Sequence, residues 1–242
     1  MCLHQDIKLS GWISPSDLFC KGRSMACAVK TDQVYVEAMD GKLERDFFRR
    51  SALEVAKDIM GKELVRVSEE GKASGTIIEA EAYTGIDDPA SHTYGGRRTP
   101  RNEPMWGAPG HAYVYMIYGL YHCLNIVCGE EGDPQAVLLR AVLPTSGLEL
   151  MARRRGTVAG EQTMHRLCNG PGKLCIAFAV GRGLNGSDAC GDTLYLKGGG
   201  PPGKIVAAPR VGIGYAGEAA NWPWRFLVEG HPGVSRRPAG RS

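Results

Sequence analysis

The chain has 242 residues, 43% hydrophobic and 23% charged, with a formal net charge of +3. This composition fits one large globular domain or at most two small ones and excludes disorder over most of the length. Its apolar runs, such as Val137 to Leu139 and Ile176 to Val180, fall far short of the roughly 20 residues that a membrane helix needs. The small basic excess permits nucleic acid as a partner but does not argue for it.

In chain order, residues 1–42 carry five acidic and five basic side chains and no sustained helical or strand pattern. Two readings stay open there: a poorly ordered extension, or a chain translated from Met39. No basic region followed by an apolar stretch stands at the N-terminus, so no secretory signal is expected. The first firm element is a helix over Ser51 to Gly61. Ser51 and Glu54 form a capping-box pair, Leu53, Val55, Ala56, Ile59 and Met60 form the apolar stripe, and Gly61 is a suitable stop. Strand patterns follow at Glu63–Val67, Gly75–Tyr83, His111–Ile117, Tyr121–Cys128 and Gln135–Leu143. Helical patterns cover Ser146–Arg155 and Lys173–Val180, and short strands return at Thr193–Lys197, Val206–Val211 and Arg225–Glu229. Strands that come in runs with hairpin-like links, not alternating with helices, indicate an α+β fold with a largely antiparallel sheet. The chain thus divides into an extension (1–42), one domain (43–230) and a basic tail (231–242), the last residues of which, Ser235 to Ser242, are expected to fray. The eight cysteines (Cys2, Cys20, Cys27, Cys123, Cys128, Cys168, Cys175 and Cys190) include no Cys-x-x-Cys pair. Most of them read as small buried hydrophobes of an intracellular protein.

Three segments carry chemistry. Period-two alternation in Gly75–Tyr83 puts Ile77, Glu79, Glu81 and Tyr83 on one face, successive members about 7 Å apart. That face is either a solvated surface with incidental acids or a carboxylate beside an aromatic wall, able to activate water as a general base. Residues 91–102 combine two glycines, a proline and three arginines. Arg97, Arg98 and Arg101 either contact phosphates or simply face solvent. In the third segment two strand patterns meet at Tyr118-Gly119, where glycine permits a turn. Tyr113 and Tyr115 share a face there, and Tyr118 sits at the tip, where no core explains it. An exposed aromatic beside a basic loop is suited to wedge into a base stack. His92, His111 and His122 show no recognised ligand spacing, so no metal is expected.

The segments Ile78-Glu79-Ala80-Glu81-Ala82-Tyr83, Ala90-Ser91-His92, Gly95-Gly96-Arg97 through Arg101-Asn102, and Tyr113-Val114-Tyr115-Met116-Ile117-Tyr118-Gly119 together resemble the 3-methyladenine (alkyladenine) DNA glycosylase family. So do Val137-Leu138-Leu139-Arg140-Ala141, Asn169-Gly170-Pro171-Gly172-Lys173-Leu174 and Arg210-Val211-Gly212-Ile213-Gly214. The resemblance runs in order from Leu43 to Glu229. It implies a single compact domain with a curved, largely antiparallel sheet, flanking helices and a protruding hairpin that enters the DNA minor groove. It also implies an enzyme that flips alkylated or deaminated purines (3-methyladenine, 7-methylguanine, hypoxanthine, ethenoadenine) from duplex DNA and hydrolyses the N-glycosidic bond.

By the same resemblance Glu81 is the general base, and Arg140 helps to hold it and the target's phosphate. Tyr83, His92 and Tyr115 are pocket walls, and Asn125 crowds out guanine's exocyclic amine. Tyr118 is the plug, with Leu120 beside it where the family often has methionine, and Arg97, Arg98, Arg101 and Lys173 contact DNA. The resemblance further implies double-stranded DNA as the partner, no cofactor, no membrane, a monomer, and a cytoplasmic location, nucleoid-associated in a bacterium. The physics is consistent with these roles. A stacked base is out of reach of water and a carboxylate, so extrusion must come first. A cationic alkylated purine is both attracted to aromatic faces and a good leaving group. The alternative is a non-catalytic nucleic-acid-binding protein of the same fold, which would have little use for a carboxylate facing phosphates.

Overall fold

The computed structural model describes residues 41–200 and 203–236, so all but the last two residues of the extension read over 1–42 lie outside it. Two short helices, α1 (Arg45–Phe48) and α2 (Ala52–Asp58), lead into the sheet. The expected capping box is present: the Ser51 hydroxyl accepts from the Glu54 N–H, and the Glu54 carboxylate accepts from the Ser51 N–H. The helix lays Val55 and Ala56 against the sheet, with Ile59 just past its end.

Eight strands follow: β1 (Glu63–Ser68), β2 (Gly71–Tyr83), β3 (Ala112–Ile117), β4 (Tyr121–Cys128), β5 (Gln135–Ser146), β6 (Leu194–Lys197), β7 (Ile205–Ala208) and β8 (Arg225–Val228). They form one curled sheet in the order β3-β4-β5-β2-β1-β6, every pairing antiparallel. β2 is its spine. It pairs with β5 along one side, and on the other it exchanges β1 for β8 from Glu79 to Glu81. Helices α3 (Leu148–Arg154), α4 (Glu161–Leu167) and α5 (Pro171–Ala177) cover the sheet. Phe48, Ile59, Leu64, Ile77, Leu124, Ile126, Leu139, Met151 and Phe178 fill the core between. Cys123, Cys128, Cys168 and Cys175 are buried free thiols and Cys190 is partly exposed, while Cys2, Cys20 and Cys27 lie outside the described residues.

Several boundaries differ from expectation. β2 starts at Gly71 because Glu69 and Glu70 make a tight link that pairs Ser68 with Gly71, although Lys72-Ala73-Ser74 has no strand-like alternation. β5 continues to Ser146, and Gly147 then breaks the chain at φ +78. A Cβ on Gly147 would stand 2.5 Å from the Lys72 carbonyl oxygen, so only glycine fits the corner. α3 therefore begins at Leu148, not Ser146. α5 begins with Pro171 at its first turn and ends at Ala177, ahead of the expected Val180. β7 ends at Ala208, not Val211, since Pro209 has no N–H for the ladder. α1 and α4 have no counterpart in the sequence reading. At the C-terminus Val234 is buried, and Ser235, where fraying is expected to begin, is hydrogen-bonded into the interior.

Candidate active site

Two irregularities between β2 and β5 build the site. Ile77 pairs with Val142 and Glu79 with Ala141, but Ala80 pairs with Leu139. Ile78 is thus the extra residue on β2 and Arg140 the extra residue on β5. Such bulges re-aim side chains, and here Arg140 reaches both acids of the β2 face: Nε lies 3.1 Å from Glu79 and Nη1 3.3 Å from Glu81. Both carboxylates are completely buried, and Arg140 and Arg225 are nearly so. The two guanidiniums balance the two carboxylates, which is what burial of charge requires. This face is no solvated strand surface.

The two acids have different company. Glu79 Oε1 accepts from Arg140 Nε, from Arg225 Nη1 at 2.9 Å and from the Ser235 hydroxyl at 2.9 Å. Glu81 accepts from the Val211 N–H at 2.7 Å on Oε1, and on Oε2 from the Tyr83 hydroxyl at 2.9 Å and Arg140. Those three partners all line a cavity of about 240 Å³. Glu81 itself stands directly behind that wall, with one bond on Oε1, so an acceptor position on that oxygen is unspent.

The cavity is otherwise aromatic. His92 and Tyr115 meet edge to face at 4.6 Å between ring centres, and Tyr113 packs on Tyr115 at 5.3 Å. His92 Nδ1 lies 2.8 Å from the Tyr113 hydroxyl. Burial, with Arg101 and Arg97 nearby, pushes the His92 imidazole down to about 4, so the ring is neutral near pH 7. Burial raises Tyr113 to about 12, and Tyr115 and Tyr83 also stand above the ordinary tyrosine value through burial first. Asn125, buried on β4, donates to the Tyr113 carbonyl at 3.0 Å, which fixes its amide at the cavity wall.

At the cavity mouth the β3–β4 hairpin turns through Tyr118 and Gly119, both at positive φ (52° and 69°). A bulky residue is rarely found there. Tyr118 is 89% exposed and Leu120 75%. The three arginines of the preceding loop separate. Arg101 lines the cavity, donates to the Met116 carbonyl at 3.1 Å and lies over the Tyr115 ring. Arg98 is paired with Glu103 at 2.5 Å and stacked on Trp106. Arg97 is exposed, and its side chain has no hydrogen bond or ion pair among the described residues, although its carbonyl accepts from the Asn102 amide at 2.9 Å. Lys173, exposed on α5, donates to Asn169 at 2.8 Å.

The structure adds residues that sequence reasoning did not assign. Arg210 and Asp88, both fully buried, form a two-pronged pair at 2.5 and 2.8 Å. Arg210 also donates to the Ala82 carbonyl and lies between the rings of Tyr83 and Trp224. This fastens the loop after Pro209 to the end of β2 and so presents the Val211 N–H to Glu81. The one sequence signal was the Arg210-Val211-Gly212 match, which carried no role. Arg225 and Ser235 gave none, being far from Glu79 in the chain. Among the described residues, no group of three or more His, Cys, Asp or Glu is placed to hold a metal ion, and no helix is long and apolar enough to cross a membrane.

Comparison with known proteins bears on this arrangement. A family model described as methylpurine-DNA glycosylase matches residues 46–232. A protein of Desulfitobacterium hafniense (strain Y51) is 48% identical over 199 residues, covering 80% of this chain and 98% of its own. One of Alkaliphilus oremlandii (strain OhILAs) is 45% identical over 201 residues, 81% and 100% of the two chains. One of Bacillus cereus (strain AH820) is 47% identical over 199 residues, 79% and 97%. All three bear the name "Putative 3-methyladenine DNA glycosylase".

Proposed function

The chain belongs to the methylpurine-DNA glycosylase family, and from that premise we propose that it flips alkylated or deaminated purines out of duplex DNA and hydrolyses their N-glycosidic bond. 3-Methyladenine, 7-methylguanine, hypoxanthine and ethenoadenine are the substrates of this reading, and an abasic site is the product. It acts as a monomer without cofactor, and residues 43–230 form the catalytic domain. The observation that carries the reading is the placing of Glu81: buried, immobilised by Val211, Tyr83 and Arg140, and set behind an aromatic cavity.

The flipped base enters between Tyr83, His92 and Tyr115. Electron-rich faces favour a purine made cationic by alkylation, and a neutral His92 does not repel it. Asn125, its amide held by Tyr113, excludes guanine's exocyclic amine. A water held by Glu81 attacks the anomeric carbon as the C–N bond breaks. From a purine made cationic by alkylation the bonding pair leaves with the base and cancels its charge, and Glu81 takes the water's proton; a neutral purine such as hypoxanthine or ethenoadenine takes up a proton from solvent as it leaves. Among the described residues no lysine lines the cavity, which favours direct hydrolysis over Schiff-base chemistry. Tyr118 fills the gap in the duplex, Leu120 supports it, and Arg97, Arg98, Arg101 and Lys173 serve the DNA backbone.

The test is Glu81→Gln, which keeps the shape and removes the proton acceptor. Excision of 3-methyladenine from duplex DNA should fall about 10²–10⁴-fold, while affinity for a duplex bearing an abasic analogue stays within a few-fold. Near-normal turnover would remove Glu81 from this role. A wild-type protein that binds lesion duplex and releases no base would instead be a non-catalytic binder.

A further inference from the structure

We infer that Ser235, in the C-terminal segment, is a positioning residue that sets the Arg140 guanidinium against Glu81; this rests on the reading of Glu81 given above. Ser235 lies three residues beyond the last residue, 232, matched by the family model. The segment that carries it returns over the sheet after β8, burying Val234. The Ser235 N–H donates to Glu79 Oε2 and its hydroxyl donates to Glu79 Oε1 at 2.9 Å. The same hydroxyl oxygen accepts from Arg140 Nε at 3.2 Å and from Nη2 at 3.0 Å. One donor and two acceptor positions are all that a hydroxyl has, so the group is fully used. The Arg236 carbonyl accepts from Arg225 Nη1 at 2.7 Å, which ties the segment to the other guanidinium of the cluster.

The geometry explains why this matters for the chemistry. Arg140 is attracted by two carboxylates, and Glu79 is bound to Nε, the nearer end of the guanidinium. Glu81 has only the 3.3 Å contact with Nη1. Without a third anchor the planar group is free to rotate toward Glu79. The Ser235 oxygen holds the Nε–Nη2 edge, leaving Nη1 directed at Glu81. The backbone bond to Glu79 in turn holds the oxygen. The segment thus fixes orientation through Arg140, and none of its described residues lines the cavity.

The experiment compares full-length wild type, Ser235→Ala and Ser235→Thr. Two quantities are measured: single-turnover release of 3-methyladenine at saturating enzyme, and hydrogen exchange of the Arg140 Nε–H by NMR, assigned by its absence in Arg140→Lys. Loss of a hydrogen bond to a charged group should slow release by about tenfold. Affinity for an abasic-analogue duplex should not change, because Ser235 does not line the cavity. The Nε–H should exchange about tenfold faster, and threonine, which keeps the hydroxyl, should restore both. If alanine lowers the melting temperature but leaves the saturated rate and the exchange as in wild type, Ser235 is only structural and the inference is overturned. If the alanine variant does not fold, Ser235→Cys, with a weaker hydrogen-bonding group of similar size, should show intermediate values, and wild-type values there overturn it. If wild type releases no base while the exchange responds as expected, the orienting role stands and the glycosylase reading falls.

Discussion

Glu79 and Glu81 leave one face of β2 two residues apart, and their neighbours give them different work. Glu79 is consumed by two arginines and a serine, whereas the partners of Glu81 are cavity walls. The alternation of β2 disclosed the shared face, but not burial or partners, because Arg140, Arg225 and Ser235 arrive from 59 to 156 positions away. Asp88 and Arg210 escaped for the same reason. Their pair is fully desolvated, so removing one member strands a buried charge. Asp88→Ala should cost about 3–5 kcal/mol in urea unfolding at pH 7, and a loss below 1 kcal/mol would show that the pair is dispensable. His92 gives a pH dependence of definite sign. Its pKa is 6.5 unfolded and about 4 folded. Above pH 6.5 both states are neutral and nothing is lost. As pH falls toward 4 the unfolded chain takes up a proton that the folded one refuses, so stability declines, by up to about 3 kcal/mol. His92→Gln should lose less stability over that window than wild type, and parallel pH profiles would contradict a buried neutral imidazole.

At the scale of elements, what is written locally in the chain was readable. The capping box of α2, the runs of strands and the Tyr118-Gly119 turn depend on neighbouring residues only. α1 was not readable, since four residues give too little periodicity, and neither was α4, which has glycine in place of a capping side chain and buries only Leu167, so it shows no apolar stripe. The paired bulges were not readable either, because register exists only between strands. Resemblance to a family, and not periodicity, supplied Arg140 and Asn125. The β3–β4 hairpin presents a sharper test. Tyr118 is almost wholly exposed, so its side chain does little for the free fold, while its positive φ shows a backbone strained to hold it out. Tyr118→Ser should leave the melting temperature nearly unchanged. A stacked aromatic is worth roughly 1–3 kcal/mol, so single-turnover excision of hypoxanthine opposite thymine should fall about tenfold to a hundredfold. Hypoxanthine in a weakly paired context, easier to extrude, should lose less. Equal losses in both contexts would place the wedge elsewhere on the hairpin.

For the molecule as a whole, a net charge of +3 is too small for DNA attraction to be a general property of the surface. What matters is where positive charge is left uncompensated. Glu79, Glu81, Arg140 and Arg225 cancel one another inside, as do Asp88 and Arg210. On the outside, Arg45 meets Asp188, Arg50 meets Asp58 and Lys204 meets Glu229, and the nearly buried Arg154 meets Glu70. Near the cavity mouth the balance shifts: among the described residues Arg101 has a carbonyl, Lys173 an amide and Arg97 no acid as partner, so their charges remain available. Arg98 sits in the same loop but is neutralised by Glu103. Each phosphate neutralised contributes about 0.9 to the slope of log affinity against log salt on duplex DNA. Arg97→Ala and Lys173→Ala should therefore each flatten that slope by about 0.9, measured by fluorescence anisotropy on an undamaged duplex from about 50 to 200 mM salt. Arg98→Ala should flatten it by less than half as much, because its charge is already partnered and removing it frees Glu103 to repel the backbone. If Arg98→Ala matches Arg97→Ala, the Arg98–Glu103 pair opens on DNA and the loop works as one cation cluster. If neither Arg97 nor Lys173 alters the slope, the duplex does not cross this side of the hairpin.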